Sequence, residues 1–215
     1  SAKALKIIAK RWKQRYDRIP DAVVLEGPLS GGHQGFTYEQ CGDPAFALDN
    51  LIPQVKAEIS QWGSFPLFVA GGIWDKTDID RVKSLGADGV QMGTRFVLSK
   101  ECIAHENYKK FVLKARDRST VVTGRSTGHP VRVLANKLTR EFEEMERSGA
   151  STEELDKLGA GKLNLATHKG DVENGSVMIG QISGMLDDIL PVADIIHNIV
   201  EGLPGAVSGA EAHCK

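Results

Sequence analysis

An α/β fold is what the sequence predicts, and three observations predict it. Short apolar, β-branched runs recur along the first half of the chain, each run ends in a glycine-bearing loop, and amphipathic helical stretches lie between them. The runs are residues 21–26 ending at Gly27, 66–70 ending at Gly71 and Gly72, 88–92 ending at Gly93, and 119–123 ending at Gly124. Runs without polar alternation read as strands covered on both faces, hence as parallel strands. Strands alternating with helices mean βαβ units with right-handed crossovers.

The elements follow in order. Residues 2–16 form an amphipathic helix, with Leu5, Ile7, Ile8 and Trp12 as its apolar positions and no strand before it. Residues 47–62 place Leu48, Leu51, Ile52, Val55 and Ile59 at spacings of three and four, the period of a helix face. Residues 75–85 open on an acidic turn and close at Gly86. After Pro130 the strand signals stop, and residues 131–147 read as one long helix with Val133, Leu134, Leu138 and Phe142 on a face. Its charged end is a solvated surface. Ser151 and Glu154 have capping-box spacing, and a glycine-rich stretch over residues 169–176 leads into a helix over 177–186. Residues 203–215 are rich in small residues and read as a flexible tail. A parallel array that starts on a helix and offers four strands is either half of an eight-stranded barrel or a small open sheet. The chain then reads as a piece of a larger unit.

Composition narrows the function classes. The chain has 215 residues, 41% hydrophobic and 26% charged, with a formal net charge of −1. A nucleic-acid or membrane-surface partner needs a clustered positive field, which this balance does not supply. No apolar run approaches the ~20 residues of a membrane span. Cys41, Cys102 and Cys214 are odd in number and far apart, which suits a reducing cytoplasm better than a disulfide framework. The expected partner is a small-molecule substrate.

Ligands of α/β folds sit at the carboxyl ends of the strands. Two adjacent ends here, Ala70-Gly71-Gly72-Ile73 and Gln91-Met92-Gly93-Thr94, have the chemistry of a phosphate cradle. Glycines let backbone N–H groups approach an anion, and Thr94 adds a hydroxyl. A third end, Ser30-Gly31-Gly32-His33, carries a histidine flanked by glycines. Imidazole titrates near neutrality, so a histidine at such a rim suits proton transfer or a hydrogen bond to substrate oxygen. His129, before Pro130, reads as structural, and His105 as a helix cap. His33, His129 and His168 lack close ligand spacing and the cysteines are unclustered, so no metal site is expected.

Four motifs occur in one order: Gly31-Gly32-His33-x-Gly35, Ala70-Gly71-Gly72-Ile73, residues 89–96 (Gly-Val-Gln-Met-Gly-Thr-Arg-Phe), and Gly170-Asp171-x-x-x-Gly175-Ser176-Val177-Met178-x-Gly180-Gln181. Together, over residues 1–202, they resemble the nitronate monooxygenase (2-nitropropane dioxygenase) family and its relative, the flavin-dependent enoyl-acyl-carrier-protein reductase. Residues 105–142 look more like the reductase. The Glu26-Gly27-Pro28-Leu29-Ser30 stretch departs from that reductase's Glu-Gly-x-Glu-Ala pattern.

The resemblance implies the C-terminal half of an FMN-binding (β/α)8 TIM barrel with an added helical domain over its mouth. Residues 1–130 would be barrel, 131–202 helical cap and return, and 203–215 tail. Gly71, Gly72, Gly93 and Thr94 match positions that hold the FMN phosphate, with Gln91 beside them. Ser30, Gly31 and Gly32 match the loop beside the flavin, Gln181 matches a glutamine near it, and His33 matches the active-site histidine. The implied reaction is oxidation of alkyl nitronates with O2 to a carbonyl compound and nitrite. The alternative is enoyl-thioester reduction with NAD(P)H as electron donor, and a third reading is an inactive half-barrel that only binds a phosphate ligand. The family's first four strands have no counterpart in these residues, so the expectation is either that the first half has been cut off or is missing from this sequence, or that a homodimer or a separate chain supplies the missing half-barrel.

Overall fold

The computed structural model describes residues 1–202, so the expected tail and Cys214 lie outside the described residues. Helix α1 (Ala2–Tyr16) starts under the Ser1 hydroxyl, which accepts from the Ala4 N–H, and stops where Asp17 turns left-handed. It buries only Leu5 and Ala9, leaving Ile7, Ile8 and Trp12 more than two-fifths exposed at 45%, 45% and 43%.

Three parallel strands follow: β1 (Val23–Glu26), β3 (Leu67–Ala70) and β4 (Gly89–Gln91), side by side in the order β1-β3-β4. Val23 pairs with Leu67 and Phe68 with Gly89. Helices α2 (Leu48–Ile59) and α3 (Lys76–Ser84) make the crossovers. All five predicted face positions of α2 are buried, and they pack with Leu25, Leu67, Val69 and Val82 into one apolar cluster. The sheet is open: among the described residues β1 and β4 each pair on one side only.

The second half of the chain corrects two predicted elements and one direction. Residues 131–147 are not one helix. They split into strand β6 (Val131–Leu134) and helix α6 (Lys137–Arg147). Val131 and Val133 alternate with Arg132, a period of two, and β-branched side chains favour strand. Asn136 then starts the helix anew, with its side chain accepting from the Thr139 N–H while the Thr139 hydroxyl takes the Asn136 N–H. The run at 119–123 is a strand, β5 (Thr120–Thr123), but it is not parallel. It pairs antiparallel with β6, Thr120 opposite Leu134, so the parallel strands number three rather than four. An apolar run encodes extended backbone and carries no direction. Its partner here is simply the next strand of a hairpin. The short strand β2 (Gly32–His33) completes this second sheet in the order β2-β6-β5.

Residues 177–186 are likewise not a helix. Val177 and Met178 run extended along β6, and a 3-10 turn occupies Gln181–Met185. Gly180 has extended backbone, which breaks the predicted helix in its middle. Helices α4 (Thr94–Val97), α5 (Glu106–Val112), α7 (Thr152–Gly159), α8 (Lys162–Thr167) and α9 (Val192–Glu201) complete the order. His105 caps α5 by accepting from the Asn107 N–H, and the Ser151–Glu154 capping box opens α7 as read from sequence. A second apolar cluster joins Leu98, Tyr108, Val112, Leu134, Val177 and Ile179.

Asn136 is 3% exposed, and its amide also donates to the Val172 and Gly175 carbonyls at 2.7 and 2.8 Å. It therefore ties the glycine-rich stretch to the start of α6. Asn136→Ala removes a cap and leaves two carbonyls without a donor, and should lower the unfolding free energy by about 2–4 kcal/mol. Urea denaturation checks this, and a loss below about 1 kcal/mol would contradict it.

Candidate active site

Parallel strands deliver their carboxyl ends to one rim, and the glycine-bearing loops meet there. Gly71 and Gly72 have φ of +89° and +78°, a region open to glycine. A Cβ on Gly71 would also lie 2.8 Å from the Gly27 carbonyl oxygen. The bend turns backbone N–H groups toward the rim. The amides of Gly72, Gly93 and Thr94 bond to nothing among the described residues; Gly93 is exposed and the other two are half-buried, so all three are open to water or to a ligand. Gly93 begins α4 without a side-chain cap.

These groups line a cavity of about 350 Å³, which also takes in Ser30, Gly31, Gly32 and Gln91. Eight of the nine residues assigned to the cofactor therefore share one cavity. Ile179 and Ile182 form its opposite wall, and Glu26 stands at its edge. Ser30 is 8% exposed, and its hydroxyl donates to the Gly27 carbonyl at 3.0 Å, which fixes the loop. Thr94 Oγ1 accepts from the Gly180 N–H at 3.0 Å. A hydroxyl that accepts one bond still has its own proton to donate.

Gln181 is the ninth residue, and its side chain faces elsewhere. Its amide donates to the Asp117 carbonyl, while its oxygen accepts from Thr120 and, at 3.1 Å, from Arg132. Only its backbone N–H approaches the cavity, donating to the Leu29 carbonyl at 2.9 Å.

His33 borders a second, larger cavity of about 440 Å³. It lies on β2 opposite Val131, with His129 and Thr123 at the same cavity and Leu138, Phe142, Leu155 and Leu163 among its apolar lining. Met178 lines both cavities and is the contact between them. The Tyr108 hydroxyl donates to the Met178 carbonyl at 2.6 Å, and burial pushes that phenol well above its ordinary range. His129, read from sequence as structural, thus shares a cavity with His33. Its place at a strand-end rim was the signal. Tyr108 gave none, since its partner lies seventy residues away. Among the described residues no cluster of histidine, cysteine and acidic side chains is arranged to hold a metal ion. No helix there is long and apolar enough to cross a membrane.

A sequence model of the nitronate monooxygenase family matches residues 1–202. The chain belongs to that family. Among its relatives is the probable nitronate monooxygenase of Staphylococcus saprophyticus, 30% identical over 183 residues, which are 84% of this chain and 50% of that protein. Among solved structures, FabK from Thermotoga maritima is 36% identical with a TM-score of 0.77, over 92% of this chain and 58% of that one. Nitroalkane oxidase from Streptomyces ansochromogenes shares the fold at 24% identity and a TM-score of 0.71, over 94% of this chain and 55% of that one. The chain spans about half the length of the curated relatives it matches. Nitronate monooxygenases are flavin-dependent oxidoreductases.

Two glycines of this rim separate close approach from mere flexibility. A Cβ on Gly31 would lie 2.4 Å from the Ile179 carbonyl carbon, whereas one on Gly93 meets nothing within 4 Å. Gly31→Ala should therefore destabilise the chain by about 1–3 kcal/mol. Gly93→Ala should change stability by less than about 0.5 kcal/mol. Thermal unfolding of the two variants side by side tests the contrast, and equal midpoints would refute it.

Proposed function

We propose that this chain carries the FMN phosphate site and the proton-handling histidine of an oxidoreductase that oxidises alkyl nitronates with O2 to a carbonyl compound and nitrite. The observation that supports it most is the set of unpaired amides at Gly72, Gly93 and Thr94 in a cavity whose floor is glycine. Those residues suit an FMN phosphate: the N–H groups and the Thr94 hydroxyl would hold its oxygens, and the absence of side chains leaves room for it. Bound there, FMN would supply the electron chemistry. Ser30, Gly31 and Gly32 would lie beside it. His33, at the neighbouring cavity, would hold a nitronate oxygen by a hydrogen bond or, where the neutral nitroalkane enters, take the proton from its α-carbon to give the nitronate. Met178 would separate the two regions.

One observation favours the second reading, reduction of an enoyl thioester with NAD(P)H. The cavity at His33 is lined by Leu138, Phe142, Leu155 and Leu163, which suits an apolar chain better than a small anion. The likeness to FabK over 92% of this chain agrees with a relationship on that side.

In either case the three parallel strands would be an arc of a (β/α)8 barrel. The segment from β6 to α8 would be the helical cap, with the boundary near residue 130. The open edges of β1 and β4 favour completion by further barrel strands.

The purified chain should take up FMN and show flavin absorbance, and a colourless chain with excess FMN would leave only the inert half-barrel. Under anaerobic conditions nitronate should bleach the flavin. Rapid bleaching by NADH with none by nitronate would instead establish the reductase reading. His33→Ala should lower turnover by about 10²–10⁴-fold with FMN content unchanged. Undiminished turnover would remove the histidine from the chemistry.

A further inference from the structure

Arg132 is 6% exposed and sits on β6 directly opposite Gly32, a residue of the glycine cavity. Every hydrogen bond it makes goes to a neutral oxygen. Nε and Nη2 both donate to the Pro28 carbonyl, at 3.2 and 2.9 Å. Nη1 donates to Thr120 Oγ1 at 3.0 Å and to Gln181 Oε1 at 3.1 Å. The arginines with ion-pair partners among the described residues are Arg18, Arg81, Arg95 and Arg125; Arg132 has none there. Burial lowers its pKa from the ordinary arginine value, yet a guanidinium stays charged in proteins.

A buried cation without a counter-ion is an expensive way to stabilise a core, and a packed apolar side chain would serve stability as well or better. What an apolar side chain cannot do is bond three chain segments at once. Pro28 leads directly into residues 29–32, one wall of the cavity, and Gln181 lies in the chain between Ile179 and Ile182, which line it across from them, though its own side chain faces away. The walls already touch through the Gln181 N–H on the Leu29 carbonyl, and Arg132 bonds both from behind. Thr120 on β5 anchors the guanidinium from the third side.

We propose that Arg132 is a positioning residue for the ligand of the glycine cavity: it fixes the spacing between residues 28–32 and 179–182, and so the fit of FMN between them. The proposal rests on reading that cavity as the FMN site. Lysine keeps the charge, but its three N–H groups radiate from one nitrogen and do not reproduce the planar fork that spans Pro28, Thr120 and Gln181. Alanine leaves a space that methylguanidinium in solution can enter.

Two measurements on the 215-residue chain test this. FMN affinity is read from flavin fluorescence quenching, and amide hydrogen exchange of residues 29–32 and 179–182 is read without flavin. Arg132→Lys should weaken FMN binding by about tenfold to a hundredfold and speed exchange in both segments. Methylguanidinium should restore FMN binding to Arg132→Ala. A lysine variant that binds FMN within about twofold of the unsubstituted chain would overturn the proposal. If the unsubstituted chain takes no FMN, the reading of the cavity fails, and the exchange data decide the role of Arg132. Unchanged exchange in the lysine variant then overturns it. Should the alanine variant fail to fold, the lysine variant supplies both readouts.

Discussion

The backbone at residue 31 lies against the backbone of residues 179 and 180 with no room for a Cβ between them. That contact lies where two apolar clusters meet. One is built on the parallel strands and α1 to α3, the other on α5, β6 and the segment at 177–186. Everything proposed for function lies along this seam. The glycine cavity opens on one side of it, Met178 continues it, and the His33 cavity opens beyond. A seam made of backbone against backbone is held by hydrogen bonds and not by interlocking side chains. Hence the chain of bonds from Thr94 to Gly180, from Gln181 to Leu29, and from Arg132 to Pro28.

Much of the first half was legible because its signals are local. The five apolar positions of α2 repeat at helical spacing, and all five are buried. The glycine runs follow their strands directly, and eight of the nine expected cofactor residues come together because parallel strands share a rim. Capping at Ser151 and at His105 depends on residues two or three positions away. In each case the partner lies within the same turn or the same repeat.

The second half was misread where the partner is distant or the pattern short. Four residues of β6 gave too little length to separate period two from period 3.6, and a charged helix just downstream absorbed them. The antiparallel direction of β5 depends on β6, so the second error followed from the first. Gln181 is expected near a flavin from the family resemblance, and its chain neighbours Ile179 and Ile182 line the glycine cavity. Its side chain bonds Asp117, Thr120 and Arg132, which lie some fifty to sixty residues upstream. No periodicity announces such a bond. Only a buried polar residue in an otherwise apolar strand, Arg132 between Val131 and Val133, hints that one exists.

The open parallel sheet has a consequence for how copies of this chain meet one another. Its two edges differ: β1 presents Val24, 52% exposed, beside the apolar side of α1, while β4 presents an edge without that groove. A strand added at either edge finds unpaired amides and carbonyls in register. Because the edges are unlike, a contact that joined one copy's β1 to the next copy's β4 would be heterologous, with the same free pair of edges left at the ends. Such growth stops only if the rotation per step closes a ring. Where such edge contacts form, the number of copies joined depends on concentration and on whether another strand already covers β1.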